Sequence, residues 1–290
     1  MNKQVKKRLA ILLVFLVAMG TVLYPSNAYA ASSSYKYISD ESTKAGKYYY
    51  KVNDLGDLYR SSTRRSGYKR IRFPDSSRGG YCANGKYIYT VRYYRENDRY
   101  ILVRYDNAGK NGRLIKKLPL GKGKEHDEWC VSQVAGNNIM LSRINTSLEK
   151  CYTYKYNLKS KKLSKVLNNC EIVDRSGNYV LGNNEWDAWN DPVKVSIYKI
   201  SSSGKLRKIK SLGTIPPEGA GFAGKKLYYS KDATGPYVDL YRSNRDGSDA
   251  KKIESFYYDP ENEMLFLMNF RSKSCDVYDS SGIHKFTYKS

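Results

Sequence analysis

Three stretches decide the fold: Gly46-Lys47-Tyr48-Tyr49-Tyr50, Gly85-Lys86-Tyr87-Ile88-Tyr89 and Gly224-Lys225-Lys226-Leu227-Tyr228-Tyr229. Each is a turn residue followed by a short apolar-aromatic run. Weaker copies are Gly136-Asn137-Asn138-Ile139-Met140-Leu141, Gly177-Asn178-Tyr179-Val180-Leu181 and Asn262-Glu263-Met264-Leu265-Phe266-Leu267. The starts at 46, 85, 136, 177, 224 and 262 are spaced by 39, 51, 41, 47 and 38 residues. After each comes a second run ending in tyrosine and a basic residue or similar, as in Leu58-Tyr59-Arg60, Val103-Arg104-Tyr105, Ile197-Tyr198-Lys199 and Leu240-Tyr241-Arg242. A glycine turn and a third run follow. A fourth, inner run fits between repeats at Gly80-Tyr81-Cys82, Trp129 to Ser132 and Cys170 to Val173. About four short strands every 40 to 50 residues, repeated around a ring, is the pattern of a β-propeller, in which each blade hides its apolar faces against its neighbours. The expected fold is therefore all-β, a six-bladed propeller of four antiparallel strands per blade. The leftover segment Ser34 to Ser39 is expected to supply a strand that helps close the ring.

Composition agrees. Twenty-nine Tyr stand against seven Phe, three Trp and eight Pro, and tyrosine suits a pleated surface with one wet end better than a helical bundle. Apolar residues at 40% and charged residues at 27% allow a sizeable core and exclude a disordered chain.

The first thirty residues read as a secretory signal peptide: a basic start (Lys3, Lys6, Lys7, Arg8), the fifteen-residue apolar run Leu9 to Leu23, and the small-x-small site Ala28-Tyr29-Ala30. A retained anchor needs roughly 18 to 20 apolar residues, and Tyr24-Pro25 breaks this run earlier. The expected domains are thus 1–30, removed on export, and 31–290, a single propeller. The expected location is secreted or wall-associated, with no transmembrane segment after cleavage.

The full chain carries a formal charge of +23; the first thirty residues hold four cations and no anion, so +19 remains after cleavage. Export turns the partner expectation from nucleic acid to an anionic wall polymer, a glycan or an envelope protein. Five cysteines (82, 130, 151, 170 and 275) are too few for a disulfide scaffold, and the odd number leaves at least one thiol. Cys151 and Cys170 are the pair to test first, against the alternative that both are buried free thiols.

The strand pairs KYYYKVNDLGDLYRSS…GYKRI (47–71) and KKLYYSKDATGPYVDLYRSNRDGSDAKKI (225–253) resemble the repeats of exported bacterial six-bladed propellers related to TolB and to LDL-receptor-type propellers, a family mostly of unknown function. The resemblance covers most of residues 46–290. It implies a binding or interaction platform, and supplies no catalytic motif to carry onto these residues.

Two surfaces follow from the repeat. The turns before the outer strands, and those strands themselves, are basic in blade after blade: Arg64, Arg65, Lys69, Arg70 and Arg72; Lys110, Arg113, Lys116 and Lys117; Lys159, Lys161, Lys162 and Lys165; Lys205, Arg207, Lys208 and Lys210; Arg245, Lys251 and Lys252. Lysine on an outer strand blocks pairing with another chain; it also suits a polyanion held with salt-sensitive affinity. The opposite face collects the second-to-third and between-blade loops. Candidate ligand-binding residues there are Tyr93, Tyr94, Arg95, His126, Arg143, Trp186, Asp187, Trp189 and Tyr237. Exposed aromatics beside charged groups suit a sugar ring, which offers an apolar face and hydroxyls. The competing account has Trp186 and Trp189 packing a long loop onto its blade.

There are two His in the chain and no G-x-S-x-G, H-E-x-x-H, P-loop or paired C-x-x-C. No cofactor and no metal site is expected; Glu125-His126-Asp127-Glu128 reads as a solvated loop, and a calcium site from Asp187, Asn190 and Asp191 lacks EF-hand spacing. The leading functional expectation is a monomeric, non-enzymatic binding module of the cell envelope. The alternative is a glycoside hydrolase or polysaccharide lyase using two carboxylates such as Glu96 and Asp187, or His126 with a tyrosine, at the channel mouth.

Overall fold

A computed structural model describes residues 35–74, 80–95, 98–120, 127–145, 150–184, 193–215, 219–232, 237–257, 268–270, 273–278 and 284–289. Strand β1 (Lys36–Ile38) precedes the first blade, made of β2 (Thr43–Ala45), β3 (Tyr48–Val52), β4 (Leu58–Ser61) and β5 (Lys69–Arg70). The second blade holds β6 (Tyr81–Ala83), β7 (Tyr87–Tyr94), β8 (Arg99–Asp106) and β9 (Arg113–Lys117). The third is β10 (Asp127–Ala135), β11 (Asn138–Asn145), β12 (Lys150–Asn157) and β13 (Leu163–Asn168). The fourth is β14 (Glu171–Ser176), β15 (Tyr179–Asn183), β16 (Val193–Ile200) and β17 (Leu206–Ile215). The fifth is β18 (Ala220–Ala223), β19 (Lys226–Asp232), β20 (Tyr237–Asn244) and β21 (Lys251–Tyr257). A last sheet joins β22 (Met268–Phe270), β23 (Ser274–Tyr278) and β24 (His284–Lys289). Every pairing is antiparallel, and every one except β1 with β6 joins neighbours in the chain.

The protein is an all-β propeller, with five complete blades among the described residues. The expectation of six four-stranded blades is corrected to that extent: the last sheet has three described strands, and the weak sixth start at Asn262 lies outside the described residues. The inner runs expected between repeats are the first strands β6, β10 and β14, and the turn glycines follow them. Each closes a tight hairpin between the first and second strands, so a blade begins with the strand before its glycine. Ala45 pairs with Tyr48, Ala135 with Asn138, Ser176 with Tyr179 and Ala223 with Lys226, leaving two-residue turns led by Gly46, Gly136, Gly177 and Gly224. Their φ values are 61°, 57°, 61° and 60°, and the second turn residues keep ordinary φ. That is the type II′ hairpin, whose first position favours glycine.

Among the described residues the core forms five apolar clusters, one between each pair of consecutive sheets. Tyr50 and Leu58 meet Tyr81 and Ile88; Cys82 and Leu102 meet Trp129 and Leu141; Met140 meets Val180 and Tyr198; Leu181 and Ile197 meet Phe222 and Leu227; and Tyr228 and Leu240 meet Cys275 and Val277. This stacking is what the repeated apolar-aromatic runs are for. Polar ties add to it on the hairpin face, where Ser176 Oγ donates to Gly224 O at 2.7 Å and Asn138 Nδ2 to Ser202 O at 3.2 Å.

Strand β1 does not pair with the last sheet. It adds to the axial edge of β6, with Tyr37 opposite Cys82, and makes the second blade a five-stranded sheet. Tyr35 and Tyr37 pack on the cluster of the second and third blades, with Tyr35 edge-on to Tyr89 at 5.2 Å. Among the described residues no helix is long and apolar enough to cross a membrane.

Candidate functional site

Strand direction alternates within a blade, so the second-to-third loops open on the face opposite the glycine hairpins, where each first strand also begins. The end of β7 and the start of β10 therefore meet across the seam of the second and third blades. Tyr93 and Tyr94 end β7 at 44% and 36% exposure, and Arg95 follows them, exposed. The Tyr93 hydroxyl bonds the Asp98 carboxylate, which raises the phenol's pKa. Its ring lies 5.1 Å from Tyr100. Burial first, and then the charges of Glu128, Asp127 and Asp98, push the Tyr100 hydroxyl up to about 12. Tyr100 packs on the apolar cluster that holds Trp129 of the third blade.

There the register sets Arg143 opposite both Trp129 and Tyr152. The guanidinium lies 5.5 Å from the Tyr152 ring and 6.0 Å from the Trp129 ring. Its Nη2 donates to Asp127 Oδ2 at 2.8 Å, and Asn145 Nδ2 donates to Asp127 Oδ1 at 2.5 Å. The Asp127 carboxylate is 2% exposed and the Arg143 side chain 13%. Desolvation opposes the arginine's charge, but hydrogen bonds with Asp127 and Tyr154 outweigh it and raise its pKa. Arg143 is thus a cation committed to a buried pair and framed by Trp129, Tyr152 and Tyr154.

The structure brings Tyr93, Tyr94, Arg95 and Arg143 to one side of the molecule, at the second and third blades. Tyr237, 46% exposed, opens β20 of the fifth blade, away from that patch. His126, Trp186, Asp187 and Trp189 lie outside the described residues, as do Glu96, Glu125, Asn190 and Asp191. Among the described residues no group of three or more His, Cys, Asp or Glu is placed to hold a metal ion. Sequence reading missed Tyr100, Asn145, Tyr152 and Tyr154 as parts of this arrangement. Once β10, β11 and β12 are in register, the alternation of residues around Arg143 identifies the last two.

The basic residues are distributed differently. Arg64, Arg65, Lys69 and Arg70, then Lys110, Arg113 and Lys117, then Lys159, Lys161, Lys162 and Lys165, then Lys205, Arg207, Lys208 and Lys210, then Lys251 and Lys252, are all exposed. Among the described residues, ion pairs join Arg70 to Asp57 and Lys252 to Asp239, at 2.7 and 3.1 Å.

A third feature lies in the seam of the third and fourth blades. Burial pushes the Glu171 carboxyl up to about 7, from an ordinary 4.5. Its charge in turn bears on the thiols of Cys130, Cys151 and Cys170.

No family model and no curated protein matches the chain. Solved structures do. A prolyl endopeptidase is similar with a TM-score of 0.52 at 11% identity, over 100% of this chain and 48% of that one. TolB from Acinetobacter baumannii is similar with a TM-score of 0.42 at 12% identity, over 88% of this chain and 63% of that one. An oligogalacturonate lyase in complex with manganese reaches 0.45 at 14% identity, over 88% and 74%. The chain therefore spans less than two thirds of the endopeptidase and TolB chains. At 11% identity the likeness to the endopeptidase is one of fold alone.

Proposed function

We propose that the protein is a non-catalytic propeller module, with β22–β24 as its sixth blade, that is exported and works as a monomer at the cell envelope. It binds an anionic wall polymer along its cationic outer strands, and turns the loop face with Tyr93, Tyr94 and Arg95 toward a glycan or a partner protein. The observation that carries this reading is the set of exposed cations repeated on five successive blades. Protection of a sheet edge accounts for lysines on an outer strand, but Lys159, Lys161, Lys162 and Lys205 sit in turns or beside them, where there is no edge to protect. A linear polyanion crossing several blades would neutralise such a set at once, releasing counterions as it binds, a principle established for nucleic acids that holds for any polyelectrolyte.

The test replaces Lys159, Lys161, Lys162 and Lys205 with glutamine and measures retention on cell-wall sacculi. The reading expects retention to fall several-fold while the melting temperature stays unchanged. Undiminished retention would refute the cationic surface as the contact.

A further inference from the structure

Cys151 and Cys170 stand where the chain crosses from the third blade into the fourth. Cys170 N donates to Cys151 O at 3.1 Å. A single backbone hydrogen bond of that length keeps the two Cα atoms within about 7 Å of each other, a reach comparable with the roughly 4.4 to 6.8 Å that a disulfide spans. Both thiols lie against the same strand of the fourth blade. Cys151 Sγ reaches Asn183 O at 3.6 Å, and Cys170 Sγ lies so close over Gly182 that a Cβ there would stand 2.5 Å from it. Gly182 and Asn183 are consecutive in β15, so both thiols face one dipeptide, and the missing side chain at Gly182 makes room for that of Cys170. All five cysteines are free thiols in this structure.

We propose that Cys151 and Cys170 form a disulfide that locks the third blade to the fourth, formed by exchange with a disulfide oxidant such as oxidised glutathione. The Cys151 thiolate attacks one sulfur of glutathione disulfide, making a mixed disulfide and releasing one glutathione thiolate. The Cys170 thiolate then attacks the Cys151 sulfur, closing the intramolecular bond and releasing the second glutathione. Two electrons pass from the cysteine pair to the oxidant, and the two thiol protons end on the glutathione thiolates.

Burial decides when this happens. It holds the folded thiols high, Cys151 at about 12 and Cys170 at about 11, and exchange needs a thiolate with access to its target. The bond therefore forms while the chain folds. Once formed it is shielded, since Cys151 is 0% and Cys170 2% exposed. Cys82, Cys130 and Cys275 remain thiols.

The experiment refolds the protein from denaturant with and without a glutathione redox buffer, then alkylates it under denaturing conditions and maps its peptides. The expected result is three alkylated cysteines instead of five in the oxidised sample, one peptide pair joined through Cys151 and Cys170, and a melting temperature higher by roughly 5 to 10 °C than in the reduced sample. Cys151→Ser and Cys170→Ser should each abolish that difference. Five alkylated cysteines, a bridge between other cysteines, or a redox-dependent shift that survives in Cys151→Ser would each overturn the assignment. If a variant does not fold, the thiol count and peptide map of the natural sequence still decide it.

Discussion

Replacing Glu171 with glutamine changes how stability depends on pH, and the size of the effect follows from where the residue sits. Glu171 opens β14, opposite Asn183, in the seam where the third blade stacks on the fourth. Desolvation lifts its folded pKa from 4.5 to about 7. In the unfolded chain it titrates at the ordinary value, so between the two values the folded state holds a proton that the unfolded state has lost. Stability is whole below about 4.5, drains as pH rises toward 7, and stays reduced above it. A rise of that size corresponds to about 3 kcal/mol. Glutamine keeps the shape and has no proton to lose. Thermal melts of both proteins from pH 4 to 8 should therefore coincide at the acid end and diverge upward for Glu171→Gln. The gap at the alkaline end should reach roughly 6 to 12 °C for a domain of this size. Other groups, Asp174 among them, also titrate, but they do so in both proteins and cancel in the difference. Melting curves that run parallel across the whole range would refute the burial argument for this carboxyl.

Further outcomes follow from the same geometry. A Cβ on Gly46 would stand 2.7 Å from Asn84 O at a φ of +61°, whereas one on Gly56, at +77°, meets nothing within 4 Å. Gly46→Ala should thus cost more than 2 kcal/mol and Gly56→Ala only about 1, and equal losses on denaturant unfolding would contradict the close approach of the first two blades. Asp127→Ala strands the Arg143 guanidinium against Trp129 and Tyr152 and should cost about 3 kcal/mol; a loss below about 1 would show the pair to be solvated. Tyr93→Ala with Tyr94→Ala should weaken binding to a neutral wall glycan with little change in melting temperature, and a large drop in that temperature would return both rings to packing.

Much of the fold was legible because blade geometry is local: Gly46, Gly136, Gly177 and Gly224 each mark a two-residue hairpin, and the runs beside them are the strands. The short inner strands β2 and β18 escaped notice, since Thr43-Lys44-Ala45 and Ala220-Gly221-Phe222-Ala223 carry little apolar pattern. The docking of β1 on β6 is a long-range pairing that no periodicity announces. The site divides in the same way. Tyr93, Tyr94 and Arg95 were visible as an aromatic-basic loop. The commitment of Arg143 to Asp127 and Asn145, and the buried state of Glu171, depend on cross-strand register and on blade stacking, which a linear reading does not supply.

The central claim, an anionic polymer held on cationic outer strands, is tested most directly by co-sedimenting the protein with purified sacculi across a salt series, before and after the anionic polymers are stripped. The account predicts binding that falls steeply with salt and drops several-fold on stripping, down to what the loop face alone contributes. Binding that survives both would contradict it.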